Sequence, residues 1–504
     1  MARCKLTEAL ALNSPTRTIV IVGGGFSGTT VAANLLRRSD WGPGRVVLVE
    51  RTRRIARGIA YADRPYPFLL NVPAGRMSVN PQEPLEFLGF ARRRLPYATA
   101  EDFLPRALYG EYLEAALLTA ELSAQPHVRL ERVTAEVVAI EKDPGSDSAH
   151  LYTADGRTLT GDDVVLALGN PSPASPAALA GMLGSKRYHE DPWTAPAACR
   201  PGETVLIIGT SLTMADVVSV TSVNCNDNVT IHAISRHGLL PPSQTAFRHV
   251  ACEGDSETLL REASFSTRKL MRSVRRLADR MQREGGDWRE AVTFVRNIAP
   301  ALWNRLPLRE RRRFLRHVRP YWDVHRHRLP PQTLAQLEHL RARGNLRIHA
   351  GRLLAFDRVG DKVTVTWRKR GAPSTSRLTV DRVINCTGPE YNPYRSRDPL
   401  MHSLLAQRLA CVDALALGLR TGANAALIGA DGSVAENIFC VGPQLRAEHW
   451  EATAAQELRS HAERLAQHLT GASRVTVRAT RAAGVRKPVA PRSEAPLANR
   501  SYGA

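Results

Sequence analysis

No stretch of this 504-residue chain approaches the roughly eighteen consecutive apolar residues that a membrane-spanning helix needs. The N-terminus, MARCKLTEALALNSPT, is too short and broken in its apolar content to read as a secretion signal. Cysteine is sparse: seven residues (Cys4, Cys199, Cys225, Cys252, Cys386, Cys411 and Cys440) lie scattered, with no C-x-x-C pair. That spacing argues against a metal site and a dithiol relay, and it fits a reducing cytoplasm. Acidic charge is also short, with 48 Asp and Glu against 69 Lys and Arg and a net charge of +21. Such an excess raises nucleic acid as a partner. The basic residues, mostly arginine, are spread through the chain instead of forming one block interleaved with aromatics, which argues against it. The milder reading is a positive field that speeds the approach of small anionic ligands. A small-molecule substrate is the expected partner, with no membrane contact, and the sequence leaves the oligomeric state open.

What the chain does have, twice, is the opening of a dinucleotide-binding unit. Residues 18–35 read TIVIVGGGFSGTTVAANL: an apolar strand, a turn with Gly23, Gly25 and Gly28 in G-x-G-x-x-G register, and a small-residue helix. The first glycine allows the sharp turn, and the second allows backbone to approach a pyrophosphate. The third lets the helix pack closely, with its positive end, at Phe26 and Ser27, aimed at the anion. The following strand, RVVLVE, ends at Glu50, about twenty residues past the last glycine, where a carboxylate can take a ribose hydroxyl pair.

The second opening, ETVLIIGTSLTMADV, keeps Gly209 but has Ser211 at the second glycine position and Met214 near the third. A nucleotide phosphate and a unit kept only for packing both remain open there. The next strand, TIHAISR, ends at Ser235 and Arg236, beside His237, where a site preferring NADH would offer an acid. These residues suit a 2′-phosphate, so NADPH is favoured over NADH.

Each opening is followed by the same sequence of elements. EVVAIEKD, LYTADGRTLTGDD and VVLALGNP follow the first; GRLLAFDRV, KVTVTWRKRGAPSTSRLTVD and RVINCTGP follow the second. Each reads as a strand, a polar hairpin and a buried strand with a glycine at its tip, Gly169 or Gly388. Ligands of such sheets sit beyond the carboxyl ends of the strands, where these glycines lie. The fold class is therefore α/β, with two Rossmann-like dinucleotide-binding domains, small antiparallel meanders and a helical insertion. Residues 17–197 and 386–470 read as one domain in two parts, 198–385 as the second, and 247–343 as its insertion of helical period. The Pro-rich basic tail, 474–504, reads as disordered.

Several long segments go further: GIAYADRPYPFLLNVPAGRMS, FLPRALYGEYL, GTSLTMADV, FLRHVRPYWDVHRHRLPP, VINCTGP and VGPQLRAEHWEATAAQELRSHA. Over roughly residues 17 to 470 the chain resembles a bacterial family of FAD/NAD(P)-binding proteins. That family is similar in layout to flavin-containing monooxygenases and N-hydroxylases, and a urate hydroxylase has been placed near it. The resemblance implies FAD in the first domain and NADPH (or NADH) in the second. Two-domain flavoproteins usually carry a Gly-Asp near the end, whose Asp reaches the flavin. Here Gly442-Pro443 stands instead, so that contact falls to backbone or another side chain.

The expected activity is that of an FAD-dependent oxidoreductase, an NAD(P)H-consuming monooxygenase hydroxylating a small polar substrate, with urate a candidate by resemblance alone. A reductase serving another acceptor, or a non-catalytic nucleotide-binding regulator, are the alternatives. No catalytic residue is fixed; Asn71, Met77 and Trp450 are the candidates. Asn71 and Met77 belong to a loop-rich block suited to holding a planar ring, and long loops inside compact domains are usually functional. Arg106, at a helix start, reads equally as a phosphate contact or a solvated arginine. Arg446, His449, Trp450 and Glu451 follow Gly442, and a helix starting there would present its positive end near the flavin. Trp450 reads either as a substrate contact or as a core aromatic. Trp322, Asp323, His325, Arg326 and His327 suggest an anion or substrate contact. A metal is disfavoured there, because i,i+2 histidines on a helix face apart.

Overall fold

The computed structural model describes residues 16–471, apart from 65, 67, 144–146, 194 and 246–254. The tail 474–504, the first residues of the insertion, Cys4 and Cys252 lie outside the described residues. Among those described, the strands run β1 (Arg17–Val22), β2 (Gly44–Glu50), β3 (Val128–Thr134), β4 (Val137–Lys142), β5 (Ala149–Thr153), β6 (Thr158–Gly161), β7 (Asp163–Leu166) and β8 (Tyr188–His189). They continue with β9 (Thr204–Ile208), β10 (Thr230–Ser235), β11 (Leu346–Val359), β12 (Lys362–Lys369), β13 (Ser376–Val380), β14 (Arg382–Asn385), β15 (Ala426–Ile428) and β16 (Val434–Cys440).

Two sheets carry the molecule. The first has the order β15-β16-β7-β1-β2-β3, with only β15 antiparallel. Its central strands are fully buried runs of Val, Ile and Leu, as a parallel sheet covered on both faces requires. The helices Phe26–Arg37 and Ala455–Thr470 share one face through Val31, Leu35, Ala462 and Leu465. The second sheet has the order β13-β12-β11-β10-β9-β14-β8. Its β8, although it precedes residue 198, adds alongside β14.

The repeat read from the sequence is present in both sheets. In each, the strand that enters the glycine turn (β1 or β9) lies between the next strand and the returning one (β7 or β14). Gly23 and Gly209 have φ of +105° and +119°, and a Cβ on either would lie 2.3 Å from the carbonyl oxygen of Ala167 or Cys386. The same backbone approach is thus built twice. The meanders differ: β4-β5-β6 stands as a separate sheet, whereas the 14-residue β11 continues from its pairing with β10 into the hairpin with β12. The loops beyond the two return strands meet, with a bridge between Pro173 and Pro389.

The segment of helical period splits in two. Helices Asp255–Phe265, Thr267–Arg283, Trp288–Asn297 and Ala299–Arg305 pack around Leu259, Leu277, Met281 and Trp303. The helix Pro331–Ala342 instead buries Leu337 and Leu340 in the core of the second sheet, as the crossover between β10 and β11. The first cluster also includes Leu417 and Trp450, so the inserted helices lean on the return segment of the first unit. Among the described residues, no helix is long and apolar enough to cross a membrane.

Candidate active site between the two glycine turns

A cavity of about 2150 Å³ opens between the sheets at the carboxyl ends of their strands. Single-ligand sites run to roughly 1,000 Å³, so this volume suits two large ligands together better than one. Gly23, Gly25, Phe26, Ser27, Glu50, Asn71, Met77, Arg106, Gly169, Gly209, Ser211, Ser235, Arg236, Gly388 and Trp450 all line it. Gly28 and Gly442 do not, and each acts from behind. A Cβ on Gly28 would sit 1.9 Å from the Gly23 carbonyl oxygen, so its absence sets the helix against the turn. Gly442, at φ +101°, turns the chain so that Pro443 faces the cavity.

The first turn fits a dinucleotide. The helix Phe26–Arg37 has Gly25 at its N-cap, no side-chain cap and no acid in its first turn, which leaves its first N–H groups and dipole for an anion. A Cβ on Gly25 would meet nothing closer than the Gly58 Cα at 3.5 Å, so this side of the turn is open. Glu50 stands beside it: its Oε2 accepts from the Gly24 N–H at 2.8 Å and its Oε1 from the Thr52 N–H at 3.1 Å. A carboxylate has about four acceptor sites, so these bonds fix its orientation and leave capacity for ribose hydroxyls. Nearby, the Met77 carbonyl accepts from Tyr109 at 2.8 Å, while its side chain is buried. The Asn71 carbonyl accepts from Gln244 at 3.4 Å.

The second turn repeats this arrangement. Helix Leu212–Asn224 has Ser211 at its N-cap, again without a side-chain cap or a first-turn acid. Met214, at the third glycine position, is fully buried in the core. Ser235 accepts from the Gly238 N–H at 2.9 Å and lies 2.9 Å from the Thr210 hydroxyl, which fixes the tip of β10. Arg236 is exposed beside His237, whose Nδ1 accepts from Arg370 at 2.9 Å. Partial burial lowers the His237 pKa, and Arg370 and Arg236 lower it further, so the ring stays neutral between two guanidinium groups. Arg370 comes from the far end of β12, a position that no local spacing in the sequence connects to Arg236.

Three expectations are corrected here. Arg106 is not a solvated arginine: it pairs with Asp216 of the helix Leu212–Asn224 at 2.7 Å, donates to the Leu69 carbonyl at 2.9 Å and lies over Trp193, at the edge of the cavity. Burial raises the Asp216 pKa and Arg106 opposes the rise, so the pair fastens one unit to the other. Next, Gly442 is followed by a short 3-10 segment, Pro443–Ala447, and the helix starts only at Ala455, so no long helix dipole begins at the glycine. Glu451 therefore caps nothing. Its carboxylate, 1% exposed, accepts from Arg326 and, at 3.2 Å, from the Trp322 indole. Trp450 is a core aromatic that also reaches the cavity, stacked on Trp303 with ring centres 4.7 Å apart.

The insertion contributes the remaining wall through Thr293, Arg296, Asp323, Arg326 and His327. His327 is held neutral by burial and by Arg326, Arg446 and Arg296. His325 is exposed, bonded to the Tyr321 carbonyl, and lies away from it. Among the described residues, no group of three His, Cys, Asp or Glu is placed to hold a metal ion.

Residues 20–171 match the family model described as FAD-NAD(P)-binding. No curated protein matches the chain in sequence. Solved structures match it in fold. The ornithine hydroxylase of Pseudomonas aeruginosa superposes with a TM-score of 0.61 at 16% identity, over 91% of this chain and all of that one. The cadaverine monooxygenase of Erwinia amylovora, solved with FAD, gives 0.62 at 12% identity over 90% and 95%. The L-lysine 6-monooxygenase of Pseudomonas syringae gives 0.60 at 15% over 90% and 98%. Residues 20–171 thus match an FAD-NAD(P)-binding model, within a chain that has the fold of flavoproteins with two dinucleotide-binding domains.

Proposed function

We propose that this chain is an FAD-dependent monooxygenase that consumes NADPH and hydroxylates a small polar substrate. The observation that carries the reading is that two uncapped helix N-termini, at Gly25 and Ser211, open onto one cavity large enough for two dinucleotides. Bound FAD would supply the acceptance of hydride from the nicotinamide and the delivery of electrons to dioxygen. The chain supplies position and exclusion of water. In this reading residues 17–197 and 386–470 hold FAD, through the 23–28 turn and Glu50. Asn71, Met77, Gly169, Gly388 and Gly442 shape the ring end. Residues 198–385 hold NADPH, with Gly209 and Ser211 at the pyrophosphate and Ser235, Arg236, His237 and Arg370 at the 2′-phosphate. Arg106 positions the two units through Asp216. The inserted helices close the remaining side, and the substrate lies between them and the Pro443–Glu451 stretch.

Among the fold neighbours are hydroxylases of ornithine, lysine and cadaverine. At their low identity this supports the class of chemistry and leaves the substrate to be found. The test is to follow NADPH oxidation, oxygen uptake and hydrogen peroxide with a metabolite panel that includes those amines and urate. Substrate-stimulated oxidation with less peroxide per NADPH supports hydroxylation. Oxidation without oxygen uptake, supported by another acceptor, would make the protein a reductase.

A further inference from the structure

On the wall formed by the insertion and the return segment, three arginines are held by carboxylates. Arg296 pairs with Glu457 at 2.7 Å, Arg319 with Asp323 at 3.3 Å, and Arg326 with the buried Glu451. Each of these three carboxylates therefore already holds a guanidinium. Arg446 is left over. It lines the cavity, is only 7% exposed, and has a buried Nε–H with no acceptor. No ion pair or hydrogen bond reaches it from the described residues. It lies instead against two rings, 4.7 Å from the centre of Tyr391 and 4.2 Å from that of Trp450.

A buried guanidinium without a counter-charge is costly, and in settled proteins such groups are paired and hydrogen-bonded. Burial lowers the Arg446 pKa; Tyr391 and Asp323 oppose that while Arg319 and Arg326 add to it. Asp323 is already paired with Arg319, so an arginine that is not discharged at ordinary pH is relieved fully only by a further anion. The neighbouring His327 is neutral and offers no negative charge. Aromatic contact holds the guanidinium in place while leaving its in-plane N–H donors available, the geometry that a carboxylate takes bidentately.

We propose that Arg446 is the substrate-anchoring residue and that the substrate is a small anion, its carboxylate or equivalent planar oxyanion bound by the guanidinium between Tyr391, Trp450 and the inserted helices. This deepens the reading above and rests on it for the identity of the site. It turns "small polar substrate" into a charge class. It keeps amino acids, which carry a carboxylate, within the class and sets aside simple amines and diamines that carry none.

The test uses benzoate and its neutral isostere benzamide on the full FAD-loaded chain, followed by perturbation of the visible flavin spectrum and by the shift in Tm. Benzoate should bind saturably and raise Tm, with benzamide about 30-fold weaker or more. Arg446→Met should abolish that preference and have a ligand-free Tm at or above wild type, because it removes a buried charge that lacks a partner. Arg446→Lys should retain part of the preference. Wild-type protein that binds neither probe, or binds both equally, overturns the proposal. So does a folded Arg446→Met protein that keeps the preference, or one that loses FAD, which would assign the guanidinium to the cofactor. If Arg446→Met fails to fold, the wild-type comparison and Arg446→Lys decide. A protein that shifts in Tm with benzoate yet never oxidises NADPH would refute the oxidoreductase reading and leave the anion site standing.

Discussion

Gly25 and Gly28 lie three positions apart and do different work, and substitution should separate them. Alanine at Gly28 would drive a Cβ to 1.9 Å from the Gly23 carbonyl, a backbone atom that cannot move aside. Gly28→Ala is therefore expected to lose about 1–3 kcal/mol or more of stability, read from chemical unfolding. Gly25→Val adds bulk to the open side of the turn and should fold with a Tm near that of wild-type protein stripped of FAD while flavin occupancy collapses. At the second turn, Arg236→Ala should raise the KM for NADPH about tenfold and leave that for NADH nearly unchanged, a steady-state measurement. Equal effects on both would remove Arg236 from the 2′-phosphate. The places of the glycine turns, Glu50 and Arg236 at strand ends on the cavity were legible because they depend on a few consecutive residues. Trp450 and Glu451 were not, because their partners, Trp303, Trp322 and Arg326, lie more than a hundred residues away. Trp450→Ala accordingly tests packing before it tests catalysis, and it is expected to lose about 3–5 kcal/mol on unfolding.

The elements were read well where one periodicity governed a segment and less well where the chain changes role without changing composition. The strand, hairpin and strand that follow each glycine turn were visible as alternating and continuous apolar runs. Pro331–Ala342 has the same helical period as the inserted helices before it, yet it belongs to the second sheet, and only contact with Leu337 and Leu340 reveals this. The stretch after Gly442 was expected to be helical at once. Glu451 is drawn instead into buried contacts with Arg326 and Trp322 of the insertion, and the regular helix starts only after it, at Ala455. The insertion is fastened to the first unit chiefly there. Glu451→Gln leaves the Arg326 guanidinium without its counter-charge in a buried setting, and breaking such a pair costs about 3–5 kcal/mol. The loss should appear first as protease cleavage within the inserted helices, with the sheets still folded. Cleavage no faster than wild type would show that the tie is unimportant.

At the scale of the whole molecule, two copies of one sheet plan face each other, joined by Arg106–Asp216 and by the meeting of the loops at Pro173 and Pro389. The duplication was legible from the order of elements; the joints were not, since each unites residues distant in sequence. Several histidines are buried in their neutral form: burial and His349 push His232 down to about 4, and burial and His449 push His461 down to about 3. Their ordinary value is 6.5, so below it the unfolded chain binds protons that the folded one refuses. Stability should therefore fall as pH drops through that value, with Tm constant just above it, and His461→Gln should flatten the decline. The central claim, that this frame brings NADPH to a bound flavin, has one direct measurement: anaerobic mixing of the purified yellow protein with NADPH. The account requires the visible flavin absorbance to bleach in a single-turnover reaction, more slowly with NADH, and to return when oxygen is admitted. A protein that binds FAD but keeps its colour under excess NADPH would contradict it.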